Sequence, residues 1–139
     1  VRDDDQETND LTKAVRWCRE KGFDEVVILG ATGKREDHTL GNISLLAEYA
    51  LYIRVSMVTD TGVFIPLRSS MKLDSFPGQQ ISVFSLDPLT GVTSHGLRYE
   101  MERLKLHNWW RATLNEASGD SFEILFNGGP VIVYLKFPD

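Results

Sequence analysis

The chain has 139 residues, of which 42% are hydrophobic and 25% charged, and its formal net charge is −5. This composition is typical of an ordinary globular protein, and a chain near this length buries roughly two-thirds of its unfolded surface. The acidic balance and the lack of a dense Lys/Arg run argue against nucleic acid or an anionic membrane as the main partner.

A single cysteine, Cys18, stands in the sequence without a metal-ligand pattern around it. It cannot form an internal disulfide, so we expect a reducing, cytoplasmic environment. No apolar run is long enough to span a bilayer, and no signal peptide is visible. The chain opens inside an acidic stretch without an initiator Met, so we expect that further sequence precedes it.

The first predicted element is a helix that begins after an N-cap at Asn9 and ends before Gly22. Its apolar residues recur at helical spacing and are Leu11, Ala14, Val15 and Cys18. Next, the continuous apolar run at residues 26–29 predicts a strand buried on both faces.

A second helix is predicted to begin near Asp37, followed by a strand at residues 55–59. The buried face of this helix is predicted to consist of Leu40, Ile43, Ala47 and Ala50. The order helix, strand, loop, helix, strand predicts a parallel sheet with crossover connections.

The pattern changes near residue 62, where we place a domain boundary between residues 1–62 and 63–139. Beyond it, short apolar runs alternate with turn signals, and the clearest strands are residues 63–67, 71–76, 81–86, 122–126 and 131–137. This pattern predicts an antiparallel sandwich or barrel. Trp109 and Trp110 are adjacent, so a strand would point one to the core and the other outward, toward a subunit interface.

An acidic segment precedes the first helix and contains Asp3, Asp4, Asp5, Glu7 and Asp10. One interpretation is purely structural, because a helix dipole favours acids near the N-terminus. The other is a magnesium site, because Mg²⁺ takes oxygen ligands and is usually held by one or two carboxylates together with substrate phosphates.

A glycine loop at residues 30–34 follows the first predicted strand, but it lacks the spacing of a P-loop, and Arg35 follows Lys34 where Ser or Thr is required. It is either a plain strand-to-helix turn or a phosphate site. Arg35, Asp37 and His38 favour the second interpretation, since backbone N–H groups at a helix start and a guanidinium bind phosphate together.

Two motifs, DQETNDLTK at residues 5–13 and GATGKREDHTLGN at residues 30–42, give the chain a strong resemblance to thiamine pyrophosphokinases. That family carries Asp-Gln-Asp-x-Thr-Asp before a helix and Gly-Ala-Thr-Gly-Gly-Arg-x-Asp-His before the next. The segment SHGLRY at residues 94–99 resembles the family's Ser/Thr-x-Gly-Leu-x-Trp, with Tyr99 in the Trp position. Glu7, Asn9 and Lys34 stand where the family usually shows Asp, Thr and Gly.

The resemblance implies a role for each matching residue. Asp10 and Arg35 are the implied catalytic residues, and Asp10 and Glu7 the implied Mg²⁺ ligands. The implied nucleotide-binding residues are Thr32, Gly33, Arg35, Asp37 and His38. A structural histidine is an equal alternative for His38. The implied thiamine-binding residues are Gln6, Ser94, Gly96 and Tyr99. Asn42 is expected to brace local backbone, and Asn115 with Glu116 to brace the ligand loop.

The resemblance also implies an α/β nucleotide-binding domain followed by a β-sandwich, in a homodimer whose thiamine sites lie between the subunits. The implied reaction transfers diphosphate from ATP to thiamine with release of AMP. A further family motif, Gly-Asp-x-Asp-Ser, lies upstream of the first motif and is absent from these residues, so this segment alone is expected to be inactive.

Two other functions compete with this interpretation. A relative could bind thiamine or a nucleotide without turnover, and then thiamine and ATP would yield no AMP. A structural or sugar-binding β-sandwich with an unrelated α/β appendage would bind no ATP in a Mg²⁺-dependent way.

Overall fold

The computed structural model describes residues 10–33 and 35–139. Within them the chain is mostly β, with two helices and two sheets. The first elements are α1 (Asp10–Glu20), β1 (Glu25–Leu29), α2 (Glu36–Tyr49) and β2 (Arg54–Val58). They are followed by β3 (Gly62–Leu67), β4 (Met71–Asp74), β5 (Gln80–Ser85), β6 (Gly91–His95), β7 (Leu104–Lys105), β8 (Asn115–Glu116), β9 (Ser121–Phe126) and β10 (Val131–Lys136).

Helix α1 packs on α2 through one narrow face. Val15 is fully buried, whereas Ala14, predicted on the apolar face, is exposed. The Thr12 and Tyr49 hydroxyls lie 2.6 Å apart in a buried hydrogen bond that joins the two helices. Gly22 has a φ of 87°, which confirms the predicted end of the helix. The predicted N-cap, Asn9, lies outside the described residues.

Strand β1 is covered on one face only, so the prediction of a strand buried on both faces is wrong. Ile28 is buried, but Val27 is 49% exposed and Leu29 71% exposed. The reason is position, because β1 lies at the edge of its sheet in the described part of the chain. Its parallel pairing with β2, in the register Ile28↔Met57, confirms the predicted crossover.

Helix α2 buries its second half more than its first. Leu46, Ala47 and Tyr49 are buried, whereas Leu40, predicted on the buried face, is 51% exposed. Ile43 and Ala50 are half-buried. The difference arises because Leu40 and Ile43 line a small apolar cleft with Trp109 instead of packing in the core.

The larger sheet has the order β1-β2-β3-β10-β5-β8, and the smaller has the order β4-β9-β6-β7. Every described pairing except β1 with β2 is antiparallel, which confirms the antiparallel prediction for the second part of the chain. Alternate residues of the larger sheet face opposite ways. Val131, Val133 and Leu135 join the apolar cluster shared with the smaller sheet, while Ile132 and Tyr134 line clefts beside α2.

The larger sheet continues across residue 62, since Val58 of β2 pairs with Val63 of β3. The buried apolar side chains nevertheless form two clusters. One contains Val15, Leu46 and Met57, and the other contains Ile81, Phe122 and Val133.

The two adjacent tryptophans lie in neither core, so the expectation that one of them is buried is wrong. Trp109 is 40% exposed and Trp110 is 70% exposed. The segment between β7 and β8 forms turns, with Arg111 N–H donating to the Asn108 carbonyl, so the alternation of a strand does not apply.

No described helix, in residues 10–33 and 35–139, combines the length and apolar character needed to cross a membrane.

Candidate active site

The glycine loop connects β1 to α2 and makes a turn that needs glycine at two positions. Gly30 has a φ of 70° and Gly33 a φ of 80°, a region that costs energy for residues with a Cβ. The loop carries the chain to Arg35, the N-cap of α2, whose backbone is extended and whose side chain does not cap the helix. The Arg35 guanidinium therefore remains available to other groups.

Arg35 and Asp37 form an ion pair at the start of α2. The guanidinium Nη2 lies 2.7 Å from Asp37 Oδ2, and Asp37 Oδ1 accepts a hydrogen bond from the His38 backbone N–H at 2.9 Å. Asp37 thus holds the Arg35 guanidinium with one carboxylate oxygen and the His38 backbone N–H with the other. Because the two side chains are 75% and 60% exposed, the pair is weak in water, and an incoming phosphate can compete for the guanidinium.

A cleft of about 410 Å³ lies between the N-terminal ends of α1 and α2, and we call it the two-helix cleft. It is lined by Asp10, Leu11, Asp37, His38, Gly41 and Asn42. The Asn42 amide donates to the Ala31 carbonyl at 3.2 Å, which confirms that Asn42 braces the loop. Two helix starts at one opening favour anions, and a carboxylate at each start supplies ligands for a cation.

A second cleft, the strand-end cleft, has a volume of about 440 Å³ and lies beyond the carboxyl ends of β1 and β2. Open α/β sheets bind ligands at this edge. Thr32 and Gly33, both expected to bind nucleotide, line it together with Thr39 of α2. Its other side is formed by Asp60 and Thr61, and by aromatic side chains from the second part of the chain.

Ser94, expected to bind thiamine, is only 2% exposed. Its hydroxyl donates to Glu100 Oε1 at 3.0 Å and accepts the Met101 backbone N–H at 2.8 Å. The Glu100 carboxylate also accepts the N–H groups of Gly96 and Leu97 at 3.2 and 2.9 Å. Glu100 therefore organises the turn that carries the segment, a role that sequence reasoning missed.

Gly96 occupies a position that only glycine fits easily. Its φ is 95°, and an added Cβ would lie 2.9 Å from the Ser121 carbonyl oxygen. This close approach lets the chain turn directly above β9. Leu97 then enters the core, and Arg98 and Tyr99 lie at the surface.

Tyr99 is 59% exposed, and its backbone is fixed on both sides by Asn115. The Tyr99 N–H donates to Asn115 Oδ1 at 3.1 Å, and Asn115 Nδ2 donates to the Tyr99 carbonyl at 2.7 Å. Arg98 pairs with Glu116 at 3.3 Å, and its guanidinium carbon lies 5.3 Å from the centroid of the Tyr99 ring. The predicted bracing by Asn115 and Glu116 is confirmed.

The glycine loop and Tyr99 lie at opposite edges of the larger sheet. The loop follows β1, whereas Tyr99 is bonded to Asn115 of β8, and five strand spacings separate these two strands. At about 4.8 Å for each spacing the separation is roughly 24 Å. The structure thus brings Asp10 together with Asp37 and His38, but it does not bring them to Tyr99.

Gln6, Glu7 and Lys34 lie outside the described residues. The described part of the chain contains no group of three or more His, Cys, Asp or Glu side chains that could hold a metal ion. Asp10 is therefore the one described member of the metal pair that the sequence predicts.

Comparison with known families matches both parts of the chain. Residues 1–58 match the thiamin pyrophosphokinase catalytic domain, and residues 62–134 match the thiamin pyrophosphokinase substrate-binding domain. The chain belongs to the thiamin pyrophosphokinase family.

Two curated relatives agree with this membership. Thiamin pyrophosphokinase 1 of Caenorhabditis elegans is 32% identical over 115 residues, which cover 73% of this chain and 47% of that protein. Thiamine pyrophosphokinase 1 of Oryza sativa subsp. japonica is 28% identical over 113 residues, which cover 73% of this chain and 43% of that protein. The chain thus spans about half the length of these thiamin pyrophosphokinases.

Solved structures share the fold. The thiamin pyrophosphokinase of Geobacillus thermodenitrificans superposes with a TM-score of 0.80 at 21% identity, over 100% of this chain and 65% of that one. The thiamine pyrophosphokinase of Bacillus subtilis gives a TM-score of 0.79 at 22% identity, over 97% of this chain and 65% of that one.

Proposed function

We propose that the protein containing this chain transfers a diphosphate group from ATP to the hydroxyl of thiamine, giving thiamine diphosphate and AMP. The observation that carries the proposal is the two-helix cleft, where Asp10 of α1 meets Asp37 and His38 of α2, with Arg35 bonded to Asp37. This is the juxtaposition that the two sequence motifs require, and family membership supplies the reaction.

The proposed chemistry is an in-line displacement. The thiamine hydroxyl oxygen forms a bond to the β-phosphorus of ATP, the bond from that phosphorus to the α–β bridging oxygen breaks, and AMP leaves. Such a transfer depends on positioning and on neutralising phosphate charge. Arg35 suits the second task, because its planar fork binds two phosphate oxygens at once.

The residues of the two-helix cleft are compatible with Mg²⁺. Asp10 supplies a carboxylate, Asp37 lines the same cleft, and Mg²⁺ in phosphate-transfer sites takes one or two carboxylates together with substrate phosphates. Bound there, the ion would neutralise charge on the transferred group. On this proposal the Asp10 carboxylate also accepts a hydrogen bond from the thiamine hydroxyl.

We assign thiamine binding to residues 63–139, which we interpret as a β-sandwich domain. We assign ATP binding to residues 1–62, which we interpret as part of an α/β domain. Tyr99 is exposed on a braced loop, and an aromatic ring face suits the cationic thiazolium of thiamine. Within one chain, Tyr99 and the glycine loop lie at opposite edges of the larger sheet. We therefore place thiamine between two copies of the chain in a homodimer. The expected compartment is the cytoplasm, where the Cys18 thiol stays reduced.

The test uses the full-length protein with thiamine, ATP and Mg²⁺. AMP and thiamine diphosphate should form in equal amounts, and omission of thiamine should abolish AMP release. Asp10→Asn should lower kcat by about a hundredfold or more, since it removes a charge that acts on the reacting groups. The matched control is Asp74→Asn, an exposed carboxylate on β4 that should keep wild-type kcat. ATP binding without thiamine-dependent AMP would contradict the proposal.

A further inference from the structure

Three aromatic side chains form one wall of the strand-end cleft. Phe64 comes from β3, Phe84 from β5 and Tyr134 from β10, so the wall belongs to the part of the chain that matches the substrate-binding domain. The cleft is also lined by the glycine loop and Thr39, which belong to the part that matches the catalytic domain. The cleft therefore offers flat apolar surface beside a phosphate-type loop.

The Tyr134 ring is held in place by its surroundings. Its hydroxyl lies 2.6 Å from the Thr61 hydroxyl, and its ring centroid lies 4.8 Å from that of Phe64 at an interplanar angle of 45°. Gly62 makes room for the ring, because a Cβ there would lie 2.7 Å from Tyr134 Cζ. A ring fixed in advance loses little side-chain entropy when a ligand stacks on it.

The rim of the cleft is polar and ordered. Thr59 Oγ1 accepts the backbone N–H groups of Thr61 and Gly62, both at 3.2 Å, and thereby fixes the turn after β2. Asp60, in the same turn, lines the cleft beside Thr61. A carboxylate at this place can accept hydrogen bonds from sugar hydroxyls.

The start of α2 separates the two clefts. Gly33 and Thr39 line the strand-end cleft, while Asp37 and His38 line the two-helix cleft. A ligand with an anionic tail and a flat ring system can extend across this helix start. Its anionic tail would then lie at Arg35 and its ring system in the strand-end cleft. A nucleoside triphosphate has this shape and charge.

We propose that Phe64 and Tyr134 form the nucleobase subsite for the phosphate donor, so that both parts of the chain contribute to nucleotide binding. The proposal rests on the proposed function for the identity of the donor. Stacking on the ring accounts for affinity toward the base, and the turn at residues 59–61 holds the sugar.

The experiment distinguishes the contribution of the nucleobase to binding from that of the phosphates. In the full-length protein, Tyr134→Leu keeps apolar bulk but removes the ring, and Tyr134→Phe keeps the ring but removes the hydroxyl. Tyr134→Leu should raise the KM for ATP about tenfold and leave the KM for thiamine unchanged, as expected for one lost stacking contact. Inhibition by inorganic tripolyphosphate, which has no base, should be unchanged. Tyr134→Phe, which keeps the stacking ring, should restore the KM for ATP to within about twofold of the wild-type value. Phe76→Leu, at an exposed aromatic that lines neither cleft, serves as control.

Two outcomes would overturn the subsite. One is an unchanged KM for ATP in Tyr134→Leu, and the other is an equal loss of ATP and tripolyphosphate affinity. Equilibrium dialysis of AMP with wild type and variants gives the same comparison without turnover. Dialysis also separates failure of the nucleobase subsite from failure of the proposed diphosphate transfer. If the wild type forms no AMP from ATP and thiamine, the proposed function is wrong, but tighter AMP binding by the wild type than by Tyr134→Leu would still support the subsite. Transferred NOEs from the adenine protons to aromatic ring protons of the wild type provide a check that needs no substitution.

Discussion

At the residue scale, the candidate active site depends on exposed charges rather than on buried ones. Arg35 and Asp37 lie in water, where their pairing is worth little, so they can be regrouped by a ligand without a large penalty. A polyphosphate provides stronger acceptors than a single carboxylate and should take over the guanidinium. We interpret the ion pair as the resting arrangement of the arginine that we propose to bind phosphate.

Substitution of Arg35 tests this interpretation. Arg35→Lys keeps the charge but loses the planar fork, and we expect kcat/KM for ATP to fall about tenfold or more. Asp37→Asn should cause a smaller loss, because it weakens the orientation of Arg35 but leaves its charge in place. Steady-state kinetics of AMP release give both values, with Arg16→Lys on the exposed side of α1 as control. An Arg35→Lys variant as active as wild type would exclude a bidentate phosphate contact.

The buried hydroxyl pair between the helices makes a separate prediction about pH. Burial raises the pKa of Tyr49 above its ordinary value of 10.0, partly offset by the hydrogen bond to Thr12. An acid with a raised pKa in the folded state stabilises the fold below its unfolded pKa, and this contribution is lost as the pH rises through the folded pKa. The free energy of unfolding should therefore fall as the pH passes 10.0.

Denaturant unfolding of Tyr49→Phe measures the contribution of Tyr49 to the free energy of unfolding. At neutral pH the variant should be less stable by about 1 kcal/mol, the usual contribution of one hydrogen bond. Above the ordinary Tyr pKa the gap to wild type should narrow, because the variant has no phenol to ionise. Tyr99→Phe, at an exposed ring outside this core, is the control. A gap that stays constant with pH would show that ionisation of Tyr49 does not govern the alkaline loss of stability.

At the element scale, the segment after β6 is held as a rigid platform for Tyr99. Glu100 accepts three hydrogen bonds from one side, and Asn115 bonds both backbone groups of Tyr99 from the other. The position of an exposed ring is thus set by two polar side chains that touch no proposed reacting atom.

Replacing Glu100 tests the platform. Glu100→Gln substitutes an amide, whose nitrogen cannot accept the N–H groups that the carboxylate accepts. We expect the KM for thiamine to rise about fivefold while the KM for ATP stays unchanged, because one accepted hydrogen bond is worth about 1 kcal/mol. Glu102→Gln, two residues further along and exposed, is the control. If the two KM values rise together in Glu100→Gln, the residue acts on the whole fold rather than on the thiamine side.

Local patterns predicted the elements whose signals lie within a few turns of chain. Gly22 marked the end of α1, and the glycine loop with Arg35 and Asp37 marked the start of α2. Strands β7 and β8, with two residues each, are too short to show an alternation. The hydrogen bonds of Glu100 to backbone depend on the shape of a turn, which no residue pattern encodes.

The aromatic wall of the strand-end cleft could not be predicted from the sequence, for a different reason. Tyr134 and Thr61 are 73 positions apart in the sequence, and they meet only because β10 pairs with β3 in one particular register. Such non-local pairing has no local signal, whereas the turn at residues 59–61 could have been found as the loop after the second parallel strand. The exposed face of β1 was mispredicted because apolar composition does not reveal which strand lies at an edge. Leu40 of α2 was mispredicted because it lines a cleft with Trp109, which is 69 positions away in the sequence.

At the scale of the whole molecule, one continuous sheet joins the parts that match the catalytic and substrate-binding domains, but it places their candidate sites at opposite edges. Within a single chain, the proposed phosphate site and the proposed thiamine ring contact are therefore far apart. Two chains arranged with a two-fold axis can restore the contact twice, as closed homodimers do with any shared site.

Mixing of two inactive variants tests the shared site. Asp10→Asn damages the phosphate side and Tyr99→Ala damages the thiamine side. After the full-length variants are unfolded and refolded together, about half of the dimers should contain one chain of each kind, with one intact site of two. Thiamine-dependent AMP release should then recover to about a quarter of the wild-type rate. Each variant refolded alone is the control, and a mixture no more active than the two separate variants would show that each site lies within one chain.

The most direct measurement is a crystal structure of the full-length protein with thiamine and an ATP analogue whose β-phosphorus cannot be transferred. We expect phosphate oxygens within hydrogen-bond distance of Arg35 and the thiamine hydroxyl beside Asp10, both at the two-helix cleft. A phosphate chain bound elsewhere, or Asp10 and Arg35 each facing solvent with the two ligands on separate surfaces, would contradict it.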